Sequence, residues 1–488
     1  MQGNISLSKS ANVSHLRYTQ ALLAGASLAV LALASPARAG TIIYSDGQSA
    51  VAPVAMATDT ELNVATGSAD QRGTVSGAYH VTKTGDGIPL LSGTGALTLT
   101  AADTLVLAEE SHVSVDLRAN SNQASFSVAG DLTLDGALSV KDVGGFGPGS
   151  YRLFNYGGSL TQNGLDIATV PNGSRDKVSV QTAVAGQVNL AARGEQQGPL
   201  LFWDGDKQEN WDNGKVDGGD GQWRTGGRAF TDAQGVTNGA MSPRPGSVGF
   251  GGNAGNVEVY TGTGQVETTG MQFATSGYNL YGDLLTLAAG EAIIRVGDGT
   301  AAGANYVATI SNRLDGGGRL TKTDLGTLIL DGDNNYWGGT EIRQGTLQIG
   351  SGGTSGSIVG EVVNNGALAF NRSDATTFDG AISGTGAVHL LDGDLTLTGT
   401  NRYTGGTIVD GGILRAGQEK AFVSDTAFTV NGGTLDLNDY SLIMSSLSGT
   451  GGLVAIGTAT HSLHQNIDTS FAGSLTGSGY FTKGGAVS

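Results

Sequence analysis

One motif recurs inside this chain, and it restricts the fold more than any other feature. Residues 316–350 read GGGRLTKTDLGTLILDGDNNYWGGTEIRQGTLQIG, and residues 384–417 read GTGAVHLLDGDLTLTGTNRYTGGTIVDGGILRAG. At one constant offset, Gly332, Asn334, Tyr336, Gly338, Gly339, Thr340, Gly345 and Leu347 match Gly399, Asn401, Tyr403, Gly405, Gly406, Thr407, Gly412 and Leu414. One residue deleted earlier in the second copy aligns Gly318 and Leu320 with Gly386 and Val388. The first copy also carries Thr321, Lys322, Gly326, Thr327, Leu328 and Leu330, whereas the second has His389 and Leu390 in place of the Thr-Lys pair. Residues 473–483 (GSLTGSGYFTK) open a third copy, and residues 91–100 (LSGTGALTLT) are a weaker echo. Self-similarity of this kind marks a stacked architecture, because one unit cannot bury its inward face alone.

Within the unit the apolar period is two. Leu328 and Leu330 alternate with Thr327 and Ile329, which reads as a strand. Gly332, Asp333 and Asn334 supply a turn. Tyr336 is expected to begin the next strand, Ile342 another, and Leu347 with Ile349 the last. No stretch outside the N-terminus shows a sustained helical period. The 82 glycines in 488 residues suit turns at every corner, and the absence of a Gly-X-Y period excludes collagen. Short strands of this grammar are expected to wind into coils and stack as an all-β, right-handed parallel β-solenoid. An antiparallel sandwich would not require the same glycines to return. Roughly 20 coils at ~4.8 Å per rung would make a rod about 90–100 Å long.

The N-terminus carries an address. Residues 1–39 contain Lys9, Arg17 and Arg38 and no acid. Residues 21–34 (ALLAGASLAVLALA) are apolar, too short for the ~20 residues of a membrane-spanning helix. Ala37, Arg38 and Ala39 then form a small-x-small site, so cleavage is expected between Ala39 and Gly40. Removal of this signal peptide takes the net charge from −17 to −20. There is no cysteine, which excludes disulfides, thiolate catalysis and cysteine-bound zinc. An acidic, cysteine-free, exported chain fits a Gram-negative surface or secreted protein, and nothing in it offers the basic footprint of a nucleic-acid binder. The mature chain has no apolar run long enough to span a membrane as a helix.

The pattern GxLTKxxxGTLxLxGxNxYxGGTxIxxGTLxI resembles the passenger-associated repeat of bacterial autotransporters. Asp324 stands where that pattern usually has glycine. Residues 130–158, Phe202 to Gly205, Trp211, Trp223, 250–252 and 270–275 are similar to stretches between such repeats. The resemblance implies a pectin-lyase-like β-helix with a loop-rich interruption. The expected organisation is a signal peptide (1–39), an N-terminal β-rich block (40–195), a Trp/Asp/Gly junction (196–248) and a solenoid (249–488) with repeats at about 316–350, 384–417 and 470–488. It implies a non-enzymatic, adhesin-like display stalk (type V secretion), needing no cofactor, whose partner is a host-surface protein or glycan. It also implies a β-barrel translocator, which is missing from this chain. The intact parent is expected at the outer-membrane surface or secreted, and this chain expressed alone in the periplasm.

The residues offer little other chemistry. No nucleophile motif of a serine hydrolase and no HExxH occurs. His461 and His464 lack an accompanying carboxylate motif and read as solvated residues of a turn or strand. Asp204, Asp206, Asp212, Asp217 and Asp220 suggest calcium, yet miss the EF-hand register, so they read as acidic turns. Asp331 with Asp333 and Asp392 with Asp394 are candidate carboxylate pairs but fall in repeat turns. Trp203, Trp211 and Trp223 read as a small core at the junction, or as sugar-stacking platforms. The rival function is a β-helix polysaccharide lyase or hydrolase, with acid and base on adjacent coils. A third reading is a truncated passenger without function.

Overall fold

Strand register sets the coil. In the computed structural model Thr327 lies beside Thr346, Thr346 beside Ala367, Ala367 beside Ala387 and Val388 beside Thr407, all parallel. The steps are nearly equal, so each coil takes roughly 20 residues, the short end of the range for stacked repeats. A second column runs through Gly318–Thr323, Thr340–Ile342, Val362–Asn364, Ile382–Gly384 and Arg402–Tyr403. Along Thr327–Leu330, Leu328 and Leu330 are buried while Thr327 and Ile329 are half-buried, which is the alternation a solenoid wall requires. The structure describes backbone strands between 40 and 99, parts of 105–142, and then residues 148–170, 178–193 and 200–485.

The described chain from Gly40 winds as two parallel stacks. In the first, Gly40–Tyr44 pairs with Thr60–Val64, that strand with Val81–Thr84, and the column continues to Leu160–Gln162. This stack closes on antiparallel strands. Gln187–Ala192 lies between Gly149–Tyr156 and Val178–Gln181, antiparallel to both. Parallel winding resumes with Leu201–Trp203 beside Gly246–Phe250 and Gly221–Trp223 beside Asn256–Val259. The two stacks have separate cores, one around Leu132, Leu153 and Leu190, the other running from Trp203 to Leu463. Tyr336, expected to begin a strand, lies between strands. Its neighbours Asn335 and Trp337 still donate to Leu314 and Gly316 of the coil beneath.

A buried polar seam joins the stacks. The Gln272 side chain accepts from the Ser150 N–H at 2.5 Å and donates to the Ser150 carbonyl at 2.7 Å. The Arg152 N–H donates to the Asp298 carbonyl at 2.9 Å, and its guanidinium lies 3.5 Å from the Asp298 carboxylate. Arg295 sits 4.2 Å from the Tyr151 ring centroid and donates to Asp324 at 2.8 Å. Buried charges need such pairing, since an unpaired one would keep its full desolvation cost.

Candidate functional site

The motif residues converge on one corner. Asn334 is buried and its side chain ties three coils: its oxygen accepts from the Leu314 N–H at 2.8 Å, and its amide donates to the Ser357 carbonyl at 2.9 Å and to Gly332 at 2.8 Å. Asn401 repeats the arrangement with the Ile382 N–H at 2.8 Å and the Ala421 carbonyl at 2.7 Å. Tyr336 and Thr340 share a hydroxyl hydrogen bond of 2.8 Å, and Tyr403 and Thr407 share one of the same length. Burial of the ring raises both tyrosine pKa values, Tyr403 to about 12, although each threonine bond opposes the shift. Leu320, Leu328, Leu330, Leu347, Val388 and Leu414 fill the core. Gly345 and Gly412 take φ of +66° and +62°, and an added Cβ would strike the carbonyls of the coil beneath. Gly332 and Gly338, and likewise Gly399 and Gly405, press on the backbone of the preceding coil, as does Gly326. Gly339 and Gly406 have φ of +82° and +89°. Thr321 donates to Glu291 at 3.0 Å, and Gly318 packs against Leu287 and Ala288.

Lys322 is fully buried, with Ile294 and Ile342 as its partners in register. Its ammonium donates to the carbonyls of Thr323 at 2.9 Å, Asp324 at 2.8 Å and Gln344 at 3.2 Å. Burial pulls its pKa down to about 7, against the pull of Asp324 and with the repulsion of Arg295. In the second copy Leu390 occupies this place and is equally buried. Asp324, where the pattern has glycine, holds φ +65°. Its carboxylate accepts from Arg295, from the Gly299 N–H and from its neighbour Leu325. Ala37 and Ala39 lie outside the described residues, and Gly40 opens the strand Gly40–Tyr44.

Two of the junction carboxylates, Asp204 and Asp212, are held in internal bonds. Asp204 is fully buried, accepting from the Asp217 N–H at 2.7 Å and the Asn238 amide at 2.8 Å; burial raises its pKa against those bonds. Asp212 pairs with Arg228 and accepts from the Asn238 N–H. Among the described residues no group of three or more His, Cys, Asp or Glu is arranged to hold a metal ion. Trp203 and Trp223 lie in the core against Phe230 and Phe250, and Trp211 lies 5.0 Å from the Arg228 guanidinium. The solvated reading of His461 is corrected: the ring points into the last coils, fully buried, with Nε2 2.8 Å from the Ile456 carbonyl, while His464 is exposed. Position 461 has the inward parity shared by Leu463, which overrides the polarity of the residue. His389 meets Asp410 at 2.6 Å on the surface. Asp331 accepts from Ser351 at 2.7 Å, Asp392 from the Gly393 N–H at 2.8 Å, and Asp333 is 4.0 Å from Arg372.

One surface groove stands out, with a volume of about 840 Å³. It lies on the outer face of Gly221–Trp223, Asn256–Val259 and Asn279–Gly282, and combines Asp206, Asp220, Gln222, Arg224, Glu258 and Tyr281. Register brings these together: Gln222 lies beside Glu258, and Glu258 beside Tyr281. Their wide and unequal spacing along the chain conceals that adjacency.

The passenger-associated-transport-repeat family model matches residues 320–349 and 392–416, the two corners described above. Joined to the parallel coils, that match shows a parallel β-solenoid that carries passenger-associated transport repeats. It is similar to the adhesin BmaC autotransporter of Brucella suis biovar 1 (strain 1330), 38% identical over 401 residues. The matched part is 75% of this chain and 12% of that protein, so the chain spans a small fraction of its relative. No solved structure matches it significantly. No helix among the described residues is long and apolar enough to cross a membrane, which says nothing of a β-barrel.

Proposed function

We propose that this chain works as an adhesive display stalk of an autotransporter, reaching the cell surface through a β-barrel translocator and binding a host-surface protein or glycan without catalysis. The observation that carries the reading is the 38% identity to an autotransporter adhesin over most of the chain. The geometry supports it. Strand pairing runs from coil to coil, and core side chains point inward, so the outward side chains are free for many weak contacts. Asp331 and Asp333 flank the repeat turn as expected, whereas Asp392 and Asp394, expected in a turn, lie in the strand Ala387–Leu397, where parallel pairing on both sides extends the strand through them. The signal peptide and cleavage before Gly40 belong to the same reading, as does the division into two β-rich blocks around a junction.

The test displays the chain on bacteria through a heterologous translocator and measures attachment to host epithelial cells. Attachment well above that of bacteria displaying a non-adhesive passenger is expected. Attachment at the control level, despite surface exposure by protease accessibility, would overturn the reading.

A further inference from the structure

We propose that the groove over Gly221–Trp223, Asn256–Val259 and Asn279–Gly282 binds a neutral, extended pyranose chain lying parallel to the stacking direction. This rests on the adhesive-passenger reading and assigns it a ligand class and a place. The groove floor is rigid, because the same three strands bury Trp223, Val257, Val259 and Leu280 on their other side. Its outer side chains form two columns with one-rung spacing, about 4.8 Å. In one, Gln222, Glu258 and Tyr281 follow each other. In the other, the Asn256 N–H donates to Asp220 at 2.8 Å, the Asn279 amide donates to Asn256 at 3.4 Å, and Ser311 donates to Asn279 at 3.2 Å.

The chemistry of these groups is that of sugar recognition. A pyranose presents C–H faces to an aromatic ring and hydroxyls to planar side chains that donate and accept in pairs. Tyr281 is 41% exposed and supplies the ring. The Gln222 amide is oriented by Glu258 at 3.0 Å and its backbone N–H by Asp206 at 3.1 Å. The exposed Arg224 guanidinium makes no hydrogen bond or ion pair among the described residues and is available to hydroxyls. A rung step is close to the length of one pyranose in a flat, all-equatorial chain, so successive sugars meet successive rungs.

Charge selects among such chains. Three carboxylates, Asp206, Asp220 and Glu258, face one arginine in the groove, so a uronate, sialate or sulfated chain would meet net repulsion. Cleavage is not expected. A general acid at neutral pH needs a carboxyl held protonated by burial. Here Asp206 and Asp220 are exposed, Glu258 is half-buried, and all three act as hydrogen-bond acceptors.

The test uses the full chain and its Tyr281→Ala and Glu258→Gln variants, with folding checked by circular dichroism. Binding of cellotetraose, chitotetraose and tetragalacturonate is measured by titration calorimetry, and reducing-end release is followed in parallel. One of the neutral tetrasaccharides is expected to bind, about tenfold more weakly to Tyr281→Ala, with tetragalacturonate excluded and no reducing ends released. No binding of either neutral sugar at millimolar concentration, unchanged affinity in Tyr281→Ala, equal binding of the uronate, or chain cleavage would each overturn the proposal. Cell attachment by the wild-type display strain separates the two levels. Attachment by a chain that binds neither neutral sugar sinks the groove proposal alone, whereas wild-type display that does not attach sinks the adhesive reading.

Discussion

Lys322 offers the sharpest test of how this solenoid tolerates charge. Burial takes its pKa from 10.5 to about 7, whereas the unfolded chain keeps the ordinary value. Between those values the unfolded chain binds one more proton than the folded one, so stability rises with pH. The favourable contribution is complete above 10.5, is lost as pH falls toward 7, and is flat below that. The whole shift corresponds to about 5 kcal/mol at 1.36 kcal/mol per unit, of which about 3–4 kcal/mol falls between pH 7 and pH 10. The charged groups facing the ammonium are Asp324, which opposes the shift, and Arg295, which adds to it. Lys322→Met keeps the side-chain length and removes the titration, and Leu390 is the second copy's own example of an apolar residue here.

The assay is urea unfolding of wild type and Lys322→Met at pH 7, 8, 9 and 10, read as the difference between the two proteins so that other groups cancel. A stacked array need not unfold in one step, so the transition containing residues 316–350 is the one to compare. The wild type is expected to gain about 3–4 kcal/mol on the variant from pH 7 to pH 10. A difference flat to within about 0.5 kcal/mol would refute the reasoning. It would mean that the carbonyls of Thr323, Asp324 and Gln344 hold the ammonium charged well enough to cancel its desolvation.

Two further substitutions follow from the repeat corner. Asn334→Ala strands the buried Leu314 N–H and takes one of two donors from the Ser357 carbonyl, which keeps the residue-334 backbone N–H, and is expected to cost about 1–3 kcal/mol by urea unfolding, with Asn401→Ala costing about the same. Gly412→Ala meets both a φ of +62° and the Gly393 carbonyl, and should lower stability by at least ~2 kcal/mol in the same measurement, whereas alanine at the open, exposed Gly353 should change it by under ~0.5 kcal/mol.

The strands and the stacking were legible because they depend on period and turn chemistry. Leu328 and Leu330 alternate inward, and Gly345 and Gly412 mark turns that other residues cannot make cheaply. Single polar residues were less legible. His461 reads as solvated by type, yet it and Lys322 hold positions of inward parity, and parity decides which face a strand residue occupies. Of the four tryptophans, Trp203 and Trp223 went to the core, while Trp337, on which the sequence is silent, stands 71% exposed on the corner of the first repeat. The groove was invisible because it depends on register across an irregular stretch: Gln222, Glu258 and Tyr281 belong to three coils of unequal length.

The relation between repeat and coil explains why the motif does not simply report the winding. Three coils carry position 327 through 346 and 367 to position 387. The second copy's counterpart of Thr327 is Asp394, which lies past that point, stacked between Ala375 and Ile413 rather than on Ala367. The second motif therefore sits one strand further round the coil than the first. Its bonds are nevertheless the same: Asn to the coils on either side, Tyr to Thr at 2.8 Å. The motif thus encodes a corner, a turn with its buried Asn bridge and close glycine contacts, and not a face. A corner can be installed wherever the chain turns, provided that the coil beneath offers a free N–H and the coil above a carbonyl within reach of the Asn amide. The outward faces between corners carry no such obligation, and the Gln222–Glu258–Tyr281 column occupies one of them.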